Sequence, residues 1–92
     1  MSEENEKILF YTKFSEKRNG INQKISEIAD STKINAKYLE AIESGNFDIL
    51  PNVYIRLFLR SYAEYLELNA EEILNEYNDY IKISNQQLKT SG

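Results

Sequence analysis

The sequence predicts an all-α domain, and three observations support this fold class. Only three glycines and one proline occur in 92 residues, so few positions interrupt a helix. Apolar residues recur at intervals of three and four along the chain, and no alternating strand pattern is visible. Apolar residues make up 41% of the chain, which indicates a folded unit, and the length suggests a single domain with a modest core.

Capping and breaking residues place the ends of the helices. Asn22, Asn35 and Asn69 each precede an apolar periodic segment and are candidate N-caps. Gly45 is placed to end the third helix, and Pro51 marks the entry to the fourth. Five helices are therefore expected, at about residues 6–18, 23–31, 36–44, 52–66 and 70–81.

A short polar turn joins the second and third helices, which is the arrangement of a helix-turn-helix. Ile34, Leu39 and Ile42 are expected to face the core on either side of this turn. The sequence thus predicts a five-helix helix-turn-helix domain of the lambda-repressor-like type over residues 1–81. Residues 82–92 are expected to form a polar tail that is frayed or a linker.

The composition restricts the possible chemistry. There is no Cys and no His, so the commonest zinc and copper ligands and the usual catalytic bases are missing. Carboxylate pairs such as Glu40 and Glu43 are interpreted as solvated surface charge. We therefore expect no enzyme, no metal and no cofactor. No stretch approaches the ~18 apolar residues of a membrane span, and the acidic start is unlike a signal peptide.

Three segments, taken together, resemble a known family. They are ISEIADSTKINAKYLEAIESGNFDILP, VYIRLFLRSYAEYLEL and NAEEILNEY, and they cover roughly residues 20–81. They are similar to the cytoplasmic helix-turn-helix domain of the RodZ family of bacterial cell-shape proteins. Leu57 departs from the family pattern, which usually has Gly there, and the spacing from Gly20 to Ala29 is slightly longer than usual.

The resemblance implies a repressor-like fold that serves protein binding. In that family the domain lies at the cytoplasmic face of a single-span membrane protein. It binds the actin-like filament protein MreB and links this cytoskeleton to cell-wall synthesis and cell shape. We therefore expect a cytoplasmic adaptor domain without membrane contacts of its own. A membrane span would follow residue 92 in a longer protein, with residues 82–92 as the juxtamembrane linker.

A DNA-binding transcriptional regulator of the repressor-like class is the alternative hypothesis. Its contacts would come from Lys33, Asn35 and Lys37 around the start of the third helix. Asn35 is, however, first placed to be a helix cap. The chain has a formal charge of −4, whereas affinity for DNA depends on cations at the phosphates. These charges argue against nucleic acid as the main partner.

The fourth helix carries the candidate partner-binding site. Its apolar side chains cover an arc of about 180° at 100° per residue, although one core needs only about 100°. The aliphatic half of the arc is expected to face the core, with Ile55, Leu59, Ala63 and Leu66. Tyr54 and Phe58 would then remain for a partner, because aromatic residues are favoured interface anchors. Leu57 is expected to be exposed beside them. Arg56 and Arg60 would border them and favour an acidic partner.

Each part of this site also has a simpler interpretation. Aromatic residues four positions apart usually belong to a core, so the first and fifth helices could cover Tyr54 and Phe58. Tyr62 and Tyr65 are expected in the core with their hydroxyl groups at its border. Arg60 precedes Glu64 by four positions, which is the spacing of an ordinary solvated ion pair.

Overall fold

The computed structural model describes the backbone of residues 10–91 and the side chains of residues 10–83. Within this range the chain forms α-helices and one short 3-10 turn, without strands. The elements are α1 (Thr12–Gly20), α2 (Ile25–Thr32), α3 (Ala36–Ser44), the 3-10 turn (Phe47–Ile49), α4 (Asn52–Tyr65) and α5 (Ala70–Ser91). The predicted all-α class is confirmed, and α2 and α3 are the two helices of the helix-turn-helix.

The first helix differs from its predicted range at both ends. The predicted start at residues 6–9 lies outside the described residues, and a turn at residues 10 and 11 precedes α1. The helix continues past residue 18 to Gly20. A glycine at this point does not stop the helix, because the hydrogen bonds that end it are made further along, around Asn22.

Asn22 ends α1 and does not cap α2, so its predicted role was wrong. Its φ of 64° is left-handed, a conformation that Asn adopts more readily than most residues. Its N–H donates to the carbonyl of Asn19 at 3.0 Å, which satisfies one of the free carbonyls of α1. The start of α2 is held instead by the backbone N–H of Lys24, which donates to the Glu27 carboxylate at 2.9 Å.

Both ends of α3 follow the prediction. The side-chain oxygen of Asn35 accepts a hydrogen bond from the backbone N–H of Lys37 at 2.9 Å, so Asn35 is the N-cap. Gly45 has a φ of 75°, and its N–H donates to the carbonyl of Ile42 at 3.1 Å. A Cβ atom at Gly45 would also lie 2.5 Å from the ring of Tyr11. Both the left-handed conformation and the nearby ring of Tyr11 favour glycine here.

A single hydrophobic core joins the five helices. The aliphatic residues predicted to face inward are all buried, namely Ile34, Leu39 and Ile42 around α3 and Ile55, Leu59, Ala63 and Leu66 from α4. Tyr62 is buried as predicted, whereas Tyr65 is only partly buried. Phe14 of α1 and Tyr77 of α5 are also buried in this core. Because α4 contributes its aliphatic side to the core, its opposite side faces outward.

The last helix is longer than predicted. α5 begins after Asn69, whose side chain accepts from the N–H of Glu72 at 3.0 Å, as the capping pattern predicted. It runs to Ser91 instead of ending at residue 81. The expectation of a frayed tail over residues 82–92 was therefore wrong up to residue 91, which is helical. No Gly or Pro interrupts residues 82–91, and Gln, Lys and Leu favour helix. Over residues 10–91, no helix has both the length and the apolar character to cross a membrane.

Candidate protein-binding surface on α4

The outer side of α4 holds several large apolar side chains at the protein surface. Val53, Tyr54 and Leu57 are exposed by 68%, 51% and 54% of their area. Residues three and four positions apart are neighbours on a helix, so Leu57 lies beside both of the others. Tyr54 and Leu57 were expected to be exposed. Val53 was not among the predicted residues, although its helical spacing to Leu57 could have indicated it.

Phe58 lies at the edge of this exposed side and is half-buried. Its ring stacks on the ring of Tyr38 from α3, with 5.7 Å between the ring centroids and 20° between the planes. Both rings are partly buried against the hydrophobic core, so Phe58 is shared between the core and the surface. We call Tyr38, Val53, Tyr54, Leu57 and Phe58 the α4 patch. Tyr38 was not among the residues predicted for the site, because no local pattern places α3 against α4.

The two predicted arginines are both exposed and differ in their partners. The guanidinium of Arg56 donates to the side-chain oxygen of Asn78 on α5. Arg60 lies 3.9 Å from the carboxylate of Glu64, and both side chains are more than half exposed. A solvated pair of this kind contributes less than about 1 kcal/mol to stability. The predicted ion pair is therefore present, and a partner role for the two arginines stays a prediction.

The residues of the DNA hypothesis are all exposed around the turn between α2 and α3. Lys33 ends α2 in a left-handed conformation with a φ of 65°. Asn35 uses its oxygen as the cap of α3, and the ammonium of Lys37 lies 5.7 Å from the ring centroid of Tyr38. Glu40 is exposed one turn beyond Lys37. The turn thus carries two cations beside an acid, which is a weak surface for phosphates.

A part-buried polar cluster joins α1, α3 and α4. The Arg18 guanidinium donates to the Glu43 carboxylate through two hydrogen bonds, of 2.7 Å and 2.9 Å. The two side chains are only 17% and 10% exposed. The hydroxyl of Tyr62 donates to the same carboxylate. Glu43 was interpreted from the sequence as solvated charge, and that interpretation was wrong because Arg18 and Tyr62 enclose it.

The contacts within this cluster raise the pKa values of Arg18 and Tyr62. The hydrogen bond to Glu43 raises the pKa of Arg18, although burial acts in the opposite direction. Burial is the main cause that raises the pKa of Tyr62, and the hydrogen bond to Glu43 adds to it. Tyr62 therefore stays protonated to a higher pH in the folded chain than in the unfolded chain.

We expect the fold to lose stability at alkaline pH because of Tyr62. An ordinary tyrosine has a pKa of 10.0, and the raised pKa of Tyr62 means that the unfolded chain releases this proton first. The stabilisation that protonated Tyr62 contributes is complete below the ordinary pKa of 10.0, and it is lost as the pH rises from there toward the raised pKa of the folded chain. The free energy of unfolding should fall by up to about 1.4 kcal/mol per pH unit for this group. Urea titrations from pH ~8 to ~11.5 would measure it.

The matched variant for this prediction is Tyr62→Phe. It keeps the ring in the core and removes the ionisable hydroxyl, so its stability should fall less steeply above pH ~10. Tyr77, whose pKa is also raised by burial, would account for part of the remaining slope. Equal slopes in the two proteins would contradict the assignment to Tyr62.

The fold and the surface together define the class of protein. α2, α3 and their turn, packed on α1, α4 and α5, form a helix-turn-helix domain, and its exposed apolar side belongs to α4. A family model described as "Helix-turn-helix domain" matches residues 14–73. The chain belongs to this helix-turn-helix family, which is the family found in RodZ. The match begins at Phe14 and so includes most of α1.

Two curated proteins are similar to this chain. One is the uncharacterized membrane protein YmfM of Bacillus subtilis (strain 168), with 39% identity over 54 residues, which covers 58% of this chain and 19% of YmfM. The other is the cytoskeleton protein RodZ of Streptococcus pneumoniae (strain ATCC BAA-255 / R6), with 41% identity over 61 residues, covering 63% of this chain and 22% of RodZ. The chain spans about a fifth of the length of these relatives. No solved structure gives a significant match.

Proposed function

We propose that this chain is a cytoplasmic adaptor domain that binds an MreB-like bacterial actin through α4 and links it to the cell-shape machinery. Membership of the family found in RodZ supports this proposal, as does similarity to a protein named as a cytoskeleton protein. In a longer protein, residues 82–92 would connect the domain to a membrane span. The proposed role requires no catalytic residue.

The exposure of Tyr54 and Leu57 is the observation that carries the proposal. Both side chains are more than half exposed on one side of a helix whose other side is buried. Burying apolar area in an interface contributes about 25 cal/mol per Å², although area alone does not convert to affinity. A contiguous apolar group on the outside of a helix is typical of a surface that binds another protein.

Co-sedimentation with polymerised MreB from the same organism would test this function, with Leu57→Ser as the variant. Leu57 makes no hydrogen bond or ion pair that the fold depends on, so the variant should keep the helical circular dichroism spectrum. We expect filament binding to weaken at least about tenfold, because central apolar anchors carry most of the energy of an interface.

Ile21→Ser is the matched control for Leu57→Ser. Ile21 is 44% exposed in the turn after α1, so the change removes a similar exposed apolar side chain from another part of the surface. It should pellet with the filaments as the wild type does. Failure of the wild-type chain to pellet, or equal pelleting of Leu57→Ser, would refute binding through α4.

A further inference from the structure

Five aromatic rings meet where the turn before α1 packs against α5. Phe47 of the 3-10 turn lies at their centre, and its ring centroid is 5.2 to 5.9 Å from those of the other four. These separations are typical of favourable aromatic pairs. We call the five residues the aromatic clamp, namely Phe10, Tyr11, Phe47, Tyr77 and Tyr80. The clamp joins three segments that lie far apart in the chain.

Tyr80 is the last residue of the clamp on α5, and it is held by rings from outside that helix. Besides Phe47, its ring contacts Phe10 and Tyr11, with 6.0 Å and 6.3 Å between the centroids. The ring of Tyr11 lies directly against Gly45, because a Cβ atom there would come within 2.5 Å of it. Tyr11 is therefore fixed between the end of α3 and the Tyr80 turn of α5.

Two polar contacts hold the middle of α5 to other helices. The ammonium of Lys13 on α1 donates to both carboxylate oxygens of Glu76 at 3.1 Å. The hydroxyl of Tyr77 donates to the side-chain oxygen of Asn52, the first residue of α4, at 3.1 Å. The ion pair is 40% and 34% exposed, so water screens it and the rings provide most of the attachment.

The helix leaves the domain just after the aromatic clamp. Among the residues whose side chains are described, Ile81 is the last that packs against the core. Lys82 and Ile83 are exposed. The helical backbone continues to Ser91, which is about 15 Å beyond Ile81 at ~1.5 Å per residue. The rings of the clamp are thus placed where they set the direction in which α5 leaves the domain.

We propose that the aromatic clamp is an orienting device. It holds the end of α5 at a fixed angle to the rest of the domain, so that a protein bound to the domain keeps a fixed orientation to the end of this helix. Aromatic side chains suit this role because they give a large contact area with few rotatable bonds to order. A helix attached only through α4 would open from its end more readily. The inference goes beyond the proposed function, because it concerns orientation and does not depend on which partner is bound.

Tyr11→Ala tests the clamp without changing the sequence of α5. It removes three ring contacts, to Phe10, Phe47 and Tyr80. Amide hydrogen exchange followed by NMR would measure how often the end of α5 opens. We expect the protection of the amides at residues 80–83 to fall at least about tenfold more than that of the α3 amides.

Tyr65→Ala is the matched control for Tyr11→Ala. Tyr65 is another half-buried tyrosine, but it lies at the end of α4, where its hydroxyl donates to the side-chain oxygen of Gln23 at 2.6 Å. Its loss should lower the protection of α3 and of residues 80–83 by similar factors. If Tyr11→Ala loses the helical circular dichroism spectrum, Tyr80→Leu takes its place, because leucine keeps an apolar side chain in the helix and removes the ring.

The orientation of α5 can be measured directly because the chain has no Cys. Asp30→Cys on α2 and Lys82→Cys on α5 introduce two exposed sites for spin labels. Pulsed electron paramagnetic resonance should give one narrow distance distribution with the clamp intact and a broader one with Tyr11→Ala. A broad distribution with the clamp intact, or no change in either the distances or the exchange on Tyr11→Ala, would overturn the inference. Neither measurement uses a filament, so failure of filament binding would refute the proposed function and leave this inference standing.

Discussion

Phe14→Ala should lower the free energy of unfolding by about 4 kcal/mol, the largest effect that we expect from a single substitution. Phe14 is fully buried, and its ring stacks on Tyr62 with 4.8 Å between centroids and 24° between planes. It is also the buried residue of α1, so the variant removes the side chain that packs this helix into the hydrophobic core. A small domain has a total stability of about 5–15 kcal/mol, so this loss is a large share.

Urea denaturation followed by helical circular dichroism would measure the effect of Phe14→Ala. Tyr54→Ala is the matched control, because it also removes an aromatic ring but from an exposed site. It should change the stability by less than about 0.5 kcal/mol. A loss below about 1.5 kcal/mol for Phe14→Ala would show that α1 contributes less to the core than its burial indicates.

Glu43→Ala should lower the free energy of unfolding by about 3 kcal/mol. The carboxylate accepts two hydrogen bonds from Arg18 and one from the hydroxyl of Tyr62. Removing it leaves a guanidinium that is 17% exposed without its counter-charge, and a buried hydroxyl without its acceptor. The same denaturation experiment would measure the change.

Two further variants separate the buried ion pair from surface charge. Glu40→Ala removes an exposed carboxylate from the same helix and should change the stability by less than about 0.5 kcal/mol. Glu43→Gln keeps an oxygen that can accept from one of the donors, so it should lower the free energy of unfolding less than Glu43→Ala does. Similar losses for Glu40→Ala and Glu43→Ala would mean that the cluster does not stabilise the domain.

Local sequence signals were sufficient for the elements whose ends are set by neighbouring residues. Asn35 and Gly45 bound α3 because a cap and a left-handed glycine act within one turn of their own positions. The aliphatic side of α4 was also predictable, because helical periodicity places Ile55 and Leu59 on one side. Local signals failed at Asn22, where the left-handed end of α1 competed with a possible cap of α2.

The candidate site was only partly predictable for a related reason. The exposure of Tyr54 follows from an apolar arc wider than one core requires, and Leu57 is exposed because it lies outside that arc. The half-buried position of Phe58 does not follow from that arc, because it depends on Tyr38, which lies 20 positions earlier in the chain. Val53 was missed although helical spacing could have indicated it.

The all-α class, the helix-turn-helix, the caps of α3 and the side of α4 that faces the core could all be predicted from the sequence alone. Each of these depends on periodicity or on contacts within a few residues. The contact of Glu43 with Arg18, 25 positions away, and the addition of Tyr38 from α3 to the patch depend on how the helices pack. Such contacts form when helices distant in the chain pack together, and no local spacing encodes which surfaces will meet.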